Sequence, residues 1–203
     1  ALTEEPRSVA ICPWFRLVLH DGRWVGRPPS CVPRTEGQDP LDAWLTGWYH
    51  PPCSVLWSRE AFESTGHWDE QAGSNDDGEL MMRALVKGIP LVETPRGAGY
   101  YRRRADGEAS LSARRFTRAS LIARLRVVRK IGFLLEESGR TAAHRAALST
   151  AFRLVATDAE SEHPDIFRQA AALARSHGPS LPWRIKGRLT RAPQSRPQSR
   201  RSE

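Results

Sequence analysis

No apolar run in the 203 residues approaches the roughly 18 residues needed to span a bilayer as a helix, so no transmembrane helix is expected. No charged-then-apolar segment opens the chain, which leaves a secretory leader without support. Cysteine is scarce. Cys12, Cys31 and Cys53 are odd in number and form no C-x-x-C pair, so they read as reduced thiols in a cytoplasmic protein, with neither a disulfide framework nor a zinc site. His20, His50, His67, His144, His163 and His177 show no metal-ligand spacing and read as structural or surface groups. His50, just before Pro51-Pro52, is the one placed to reach a cleft. A P-loop, a G-x-S-x-G elbow and a dinucleotide fingerprint are all missing, which removes nucleotide-switch and serine-hydrolase readings.

What remains is an ordinary globular composition, 39% hydrophobic and 27% charged, long enough for one domain with an appendage. The formal charge of +8 is unevenly spread: residues 1–112 carry −4 and residues 113–203 carry +12. Six of the seven tryptophans lie within the first 68 residues. The pattern is an aromatic, slightly acidic front joined to an arginine-rich back, so global pI alone misleads about partners. The chain opens on Ala1 and not Met, which fits a portion of a longer polypeptide.

The front reads as mixed α and β. Ser8 to His20 is strand-like, and Asp21-Gly22 followed by Trp24-Val25 signals a tight hairpin, because Asp-Gly accepts positive φ. Pro28-Pro29 and Pro33 mark a loop. Asp39 caps a short helix with Pro40 at its first position and Leu41, Trp44, Leu45 and Trp48 at helical spacing, and Pro51-Pro52 stops it. Cys53 to Trp57 is strand-like, Arg59 to Ser64 is a turn or two of helix ending at Gly66, and Ile89 to Thr94 is a strand ended by Pro95, with a loop from Arg96 to Ser112. The helix between them is capped at Ser74 or Asn75, has Leu80, Met81, Ala84 and Leu85 inside, and stops at Gly88. From Arg114 the pattern is helical, with further helices at Thr141–Thr157 and Pro164–His177, and 181–203 reads as a disordered basic tail.

The chemistry-bearing segment runs from Gly66-His67-Trp68-Asp69-Glu70 through Asn75-Asp76-Asp77-Gly78-Glu79-Leu80 to Arg83 and Gly88. Adjacent carboxylates at the first turn of a helix, after a loop with an aromatic and an acid, suit a general base at a cleft mouth. The same acids also suit the positive end of a helix dipole. Asp77 and Arg83 are six residues apart, so Arg83 points away from Asp77 and serves to anchor the helix.

In order, Pro52-Cys53-Ser54-Val55-Leu56, Arg59-Glu60, Gly66 to Glu70, Asp76-Asp77, Leu80, Arg83, Gly88 and Tyr101-Arg102 resemble the second half of the catalytic domain of family 2 glycosyltransferases. The resemblance spans about Asp39 to Ser112, half the chain. It implies an α/β architecture: a partial GT-A, nucleotide-diphospho-sugar-transferase-like mixed sheet over 1–112 with flanking helices. An α-helical extension over 113–180 and the tail complete the chain. It further implies that Asp77 is the base for an acceptor hydroxyl, with Asp76 the acid before it. Trp68, Asp69 and Ser54 would be on the substrate side, and Tyr101 and Arg102 near a diphosphate, where a guanidinium fork matches phosphate oxygens.

Two departures qualify it. The chain has no D-x-D triplet, so the divalent cation (Mg or Mn) that the family implies has no motif here, and no metal ligand is assigned. Arg104 stands where the family often carries a histidine. The implied partners are a nucleotide-sugar donor and a glycan, lipid or small-molecule acceptor. A non-catalytic alternative is a GT-A remnant binding anionic lipid or nucleic acid through the arginine-rich helices and tail. The basic helix with Arg114, Arg115, Arg118, Arg124, Arg126, Arg129 and Lys130 around an apolar stripe fits either a membrane surface or a helix packed on the domain. The tail lacks the aromatic interleaving of a nucleic-acid reader.

Overall fold

The computed structural model describes residues 5–20, 22–29, 31–103 and 114–178. Among them the chain forms six α-helices and two small mixed sheets. In the first sheet β1 (Val9–Ile11) lies between β4 (Val55–Trp57), antiparallel to it, and β5 (Leu91–Glu93), parallel to it. All three residues of β1 are buried, as a short central strand of Val, Ala and Ile should be. In the second sheet β2 (Trp14–His20) lies between β3 (Arg23–Arg27), antiparallel, and β6 (Gly99–Arg103), parallel.

Ser8 to His20 is therefore two strands in two sheets. The break falls at Cys12-Pro13, where proline has no amide hydrogen to carry a ladder forward. The Cys12 amide instead donates to the Ser54 carbonyl (3.0 Å), and the Pro13 carbonyl accepts from Gly99 (2.8 Å), which starts β6. Residues 99–103 were expected as loop and form this strand. Its partner, β2, lies some 85 positions away in the chain, beyond any local pattern. The hairpin stands as expected: His20 pairs with Arg23 across a two-residue turn in which Gly22 has φ 73°.

The helices follow their caps. Asp39 accepts from the amides of Leu41 and Asp42 and starts α1 (Pro40–Leu45) with proline at the first position. Ser58 caps α2 (Arg59–Thr65), which ends at Gly66 with φ 89°. A 3-10 turn at Gly73–Asn75 leads into α3 (Asp76–Val86). The basic helix α4 (Arg118–Glu137) starts four residues later than expected because Thr117, accepting from Ser120, is its cap. α5 (Thr141–Ala159) and α6 (Pro164–His177) complete the fold. The tail from 181 and the residues around Arg104 lie outside the described residues.

One core runs through both predicted units. Val9 and Ile11 of β1, Leu41 and Trp44 of α1, and Met81 of α3 join Leu121 and Ile131 of α4 and Leu148 and Phe152 of α5 in a single buried cluster. The α4 stripe of Leu121, Leu125, Val128, Ile131 and Leu135 is thus spent inside. Its cations pair inward or sideways as well: Arg118 with Asp165, Arg124 with Asp158 (2.7 Å), and Lys130 with Asp69 (2.7 Å). No helix among the described residues is long and apolar enough to cross a membrane.

Candidate active site

The acids at the start of α3 have different surroundings. Asp76 is exposed and accepts from the Asp77 amide (2.9 Å). Asp77 is half-buried and accepts from the Gly78 amide (2.8 Å). Burial pushes the Asp77 carboxyl above the ordinary aspartate range, the Asp76 charge adds to this, and the Gly78 amide only partly offsets it. A helix N-terminus alone would lower it. Asn75 makes no capping bond through its side chain. Its Oδ1 lies over Gly78, where a Cβ would stand 2.5 Å away.

The segment leading to these acids is gripped from two sides. From α3, Arg83 donates to the carbonyls of Thr65 (2.6 Å), Gly66 (3.0 Å) and His67 (2.7 Å), and forms a two-point pair with Glu79 (2.8 and 3.0 Å). This is the anchoring role expected of Arg83. From α4, Lys130 reaches both Asp69 (2.7 Å) and Glu79 (2.8 Å), and Arg126 donates to Gln71. Gly73 packs so closely on α4 that a Cβ would meet Ala123 at 3.1 Å. The Lys130 ammonium, with the Gln71 amide, holds the Asp69 carboxyl below its ordinary range. Burial pushes Glu79 up, but its bonds to Arg83 and Lys130 outweigh that and leave it lowered.

Asp69 is therefore engaged with α4, while its neighbour Trp68 stands 46% exposed. Ser54 is buried, donates to the Pro51 carbonyl (2.9 Å) and lies 3.3 Å from His50 Nδ1. It backs directly onto Gly99, whose Cβ would stand 2.7 Å from its own, so it supports β6 and has no open face. His50 sits between Trp44 and Trp48, and burial lowers its pKa. On β6, Tyr101 meets Trp14 edge-on (6.4 Å), and Arg102 is exposed.

Two groups result: Trp68, Asp69, Asp76 and Asp77 around the start of α3, and Ser54, Tyr101 and Arg102 around β6. None of these residues lines the cavity of about 180 Å³ bounded by Trp44, Trp48 and Tyr49, by Asn75 and Arg124, and by Leu154 of α5. Tyr49 packs on Trp14 (5.3 Å), which continues the aromatic contact to Tyr101. Sequence reasoning missed Lys130 and the role of Glu79. The Glu79–Arg83 pair was readable from its i,i+4 spacing, whereas nothing local connects Lys130 to Asp69 sixty-one residues earlier.

The only metal-type grouping found among the described residues is Asp39, Asp42 and His144. Its donors are already committed: Asp39 caps α1, and His144 Nδ1 is bonded to Asp42 (2.7 Å) with Nε2 against the Arg140 guanidinium (3.1 Å). That arrangement ties α1 to α5 and does not suit a divalent cation, so no step is routed through one.

Comparison with known proteins finds no family model, no curated protein and no solved structure that matches this chain.

Proposed function

We propose that the chain carries the acceptor side of a glycosyltransferase of the family 2, GT-A type, with Asp77 as general base. The observation that carries this reading is the half-buried Asp77 carboxyl at the first turn of α3, set beside an exposed Asp76. Burial raises the proton affinity of that carboxyl, which favours a base for a hydroxyl. The Asp77 carboxylate takes the proton from the acceptor hydroxyl as that oxygen bonds to the anomeric carbon of a nucleotide-sugar. The bond from that carbon to the diphosphate oxygen breaks on the opposite side, giving inversion and releasing a nucleoside diphosphate. Exposed Trp68 offers a flat apolar face to the acceptor, and exposed Arg102 offers a donor fork to phosphate oxygens. Asp69 acts at one remove, by fixing the loop that carries Trp68. Turnover requires in addition donor-binding elements with an Asp-x-Asp, a motif these 203 residues lack.

The alternative, a non-catalytic remnant binding through the basic helix, draws less support from α4. The stripe of Leu121, Leu125, Val128, Ile131 and Leu135 is buried, leaving Ile122 and Phe133 exposed, and Arg118, Arg124 and Lys130 are paired with carboxylates. The test is nucleoside diphosphate release by the complete gene product over a panel of nucleotide-sugars with Mg or Mn present. Asp77→Asn should lower turnover by about 100- to 10,000-fold with an unchanged circular dichroism spectrum. Turnover within tenfold of wild type would remove Asp77 from the mechanism.

A further inference from the structure

Apart from buried Trp14 and the Tyr101 and Arg102 of the candidate site, the second sheet has a composition that nothing described so far uses. β2, β3 and β6 hold five arginines (Arg16, Arg23, Arg27, Arg102 and Arg103) and no carboxylate. Every residue of β3 is exposed. The registry puts Phe15, Leu17 and Leu19 of β2 on one face, with Tyr100 opposite Phe15 and Trp24 opposite Leu19. The Phe15 and Tyr100 rings stack at 6.0 Å, and a Cβ on Gly26 would meet Phe15, which places that glycine on the same face. Phe15, Leu19, Trp24 and Tyr100 are 39–58% exposed. The opposite face turns Trp14 into the protein, so the apolar face is the outward one.

Of these arginines Arg102 lies on this face, beside Leu17, and Arg23 stands at the hairpin tip of the exposed edge strand β3. Arg16 and Arg27 sit directly opposite each other on the reverse side, a like-charge cross-strand pair that costs stability unless an anion relieves it. No ion pair joins Arg16, Arg23, Arg27 or Arg102 to a carboxylate among the described residues.

We propose that this sheet is a docking surface for an anionic membrane, with Phe15, Leu19, Trp24 and Tyr100 entering the headgroup–acyl boundary and Arg102 on that face, with Arg23 at the hairpin tip, meeting lipid phosphates. A contiguous outward apolar patch marks a contact surface. Tryptophan and tyrosine favour the membrane interface, where one end of the ring is apolar and the other wet. Arginine stems lie along apolar surface while their heads reach phosphate. A second copy of the chain is a poor occupant, since it would bring Arg102 and the hairpin-tip Arg23 against a surface that carries the same charges and, in the sheet, no carboxylate. A nucleic acid would satisfy the charge, but it leaves Leu17 and Leu19 on water-facing surface with no base to stack on them. The proposal does not depend on glycosyl transfer, and it places lipid contact on the sheet and not on α4.

The test is co-sedimentation of the full chain with phosphatidylcholine vesicles, with and without 30% phosphatidylglycerol, at low and high salt. Wild type should bind the anionic vesicles at least tenfold more tightly than the neutral ones, with binding weakened by salt. The double substitution Trp24→Ser with Tyr100→Ser, both at exposed positions, should lower that binding at least tenfold without altering the circular dichroism spectrum. Absence of wild-type binding would overturn the proposal. Equal binding by the double variant would do so too, because the lipid would then be held elsewhere in the chain. Tighter binding to a polyuridine oligomer than to anionic vesicles at the same salt, lost in an Arg23→Gln, Arg27→Gln variant, would overturn it in favour of nucleic acid.

Discussion

Replacing Arg83 with methionine probes the part of the structure that holds the candidate site together. Glu79 is fully buried, and its two cations are Arg83, itself almost buried, and Lys130, one-third exposed. Methionine keeps an unbranched apolar stem and removes the charge and the donors. Glu79 is then left with Lys130 alone, and the Gly66 and His67 carbonyls lose their donor, while Thr65 keeps a bond from Lys87 (2.9 Å). Removing one partner of a buried ion pair costs about 3–5 kcal/mol. With a urea slope of about 2 kcal/mol/M, the unfolding midpoint should fall by roughly 1.5–2.5 M. Lys130→Met should cost about 1 kcal/mol or less, because Lys130 is partly solvated and Glu79 retains Arg83. The double variant Glu79→Leu, Arg83→Met should lose less than the sum of the two single variants, since it leaves no buried charge unpaired. The assay is urea unfolding followed by far-ultraviolet circular dichroism. An Arg83→Met variant within about 1 kcal/mol of wild type would refute the reasoning, because the pair would then be carrying no buried charge.

Further outcomes follow from the same geometry. Asp69 and Glu79 are lowered in the folded state, so they stabilise it fully above the ordinary carboxylate range, and that stability is lost as pH falls below that range and through their folded values. Acid unfolding of Arg83→Met should therefore be shallower than that of wild type. Asp77 is raised, so the folded state binds its proton more tightly, and its ionisation lowers stability as pH climbs through and above the ordinary aspartate value. Asp77→Asn keeps an oxygen for the Gly78 amide and should raise the urea midpoint at pH 7 relative to wild type. Gly99→Ala would set a Cβ 2.7 Å from Ser54 Cβ and 3.0 Å from the Cys53 carbonyl, and should lower stability by about 1–3 kcal/mol in the same assay.

The sequence carried local features well and distant pairings poorly. Asp39 with Pro40, Asp21-Gly22 and Gly66 each state a conformational requirement in one or two residues, and α1, the hairpin and the end of α2 stand where those residues put them. Arg83 could be assigned as an anchor because its spacing excludes the Asp77 face. The strand at Gly99–Arg103 was invisible because its ladder is completed by β2, and its composition, Gly-Tyr-Tyr-Arg-Arg, reads as a charged loop. The hydrophobic period of α4 was legible, but which side it served was not. An apolar stripe flanked by arginines looks the same whether it meets lipid or a core, and only the positions of Asp158, Asp165 and Asp69 decide it. The acids at the start of α3 were equally two-sided. Dipole partners and a general base have the same residue types, and they differ in burial, which depends on tertiary packing.

That difference gives the most direct test of the central claim. The Asp77 carboxyl can be titrated by carbon NMR, with Asp77→Asn to assign its resonance. A base held half-buried at the site predicts an Asp77 midpoint above the ordinary aspartate value of about 3.8. A midpoint at or below that value would make Asp77 a plain helix-start charge and would contradict the account.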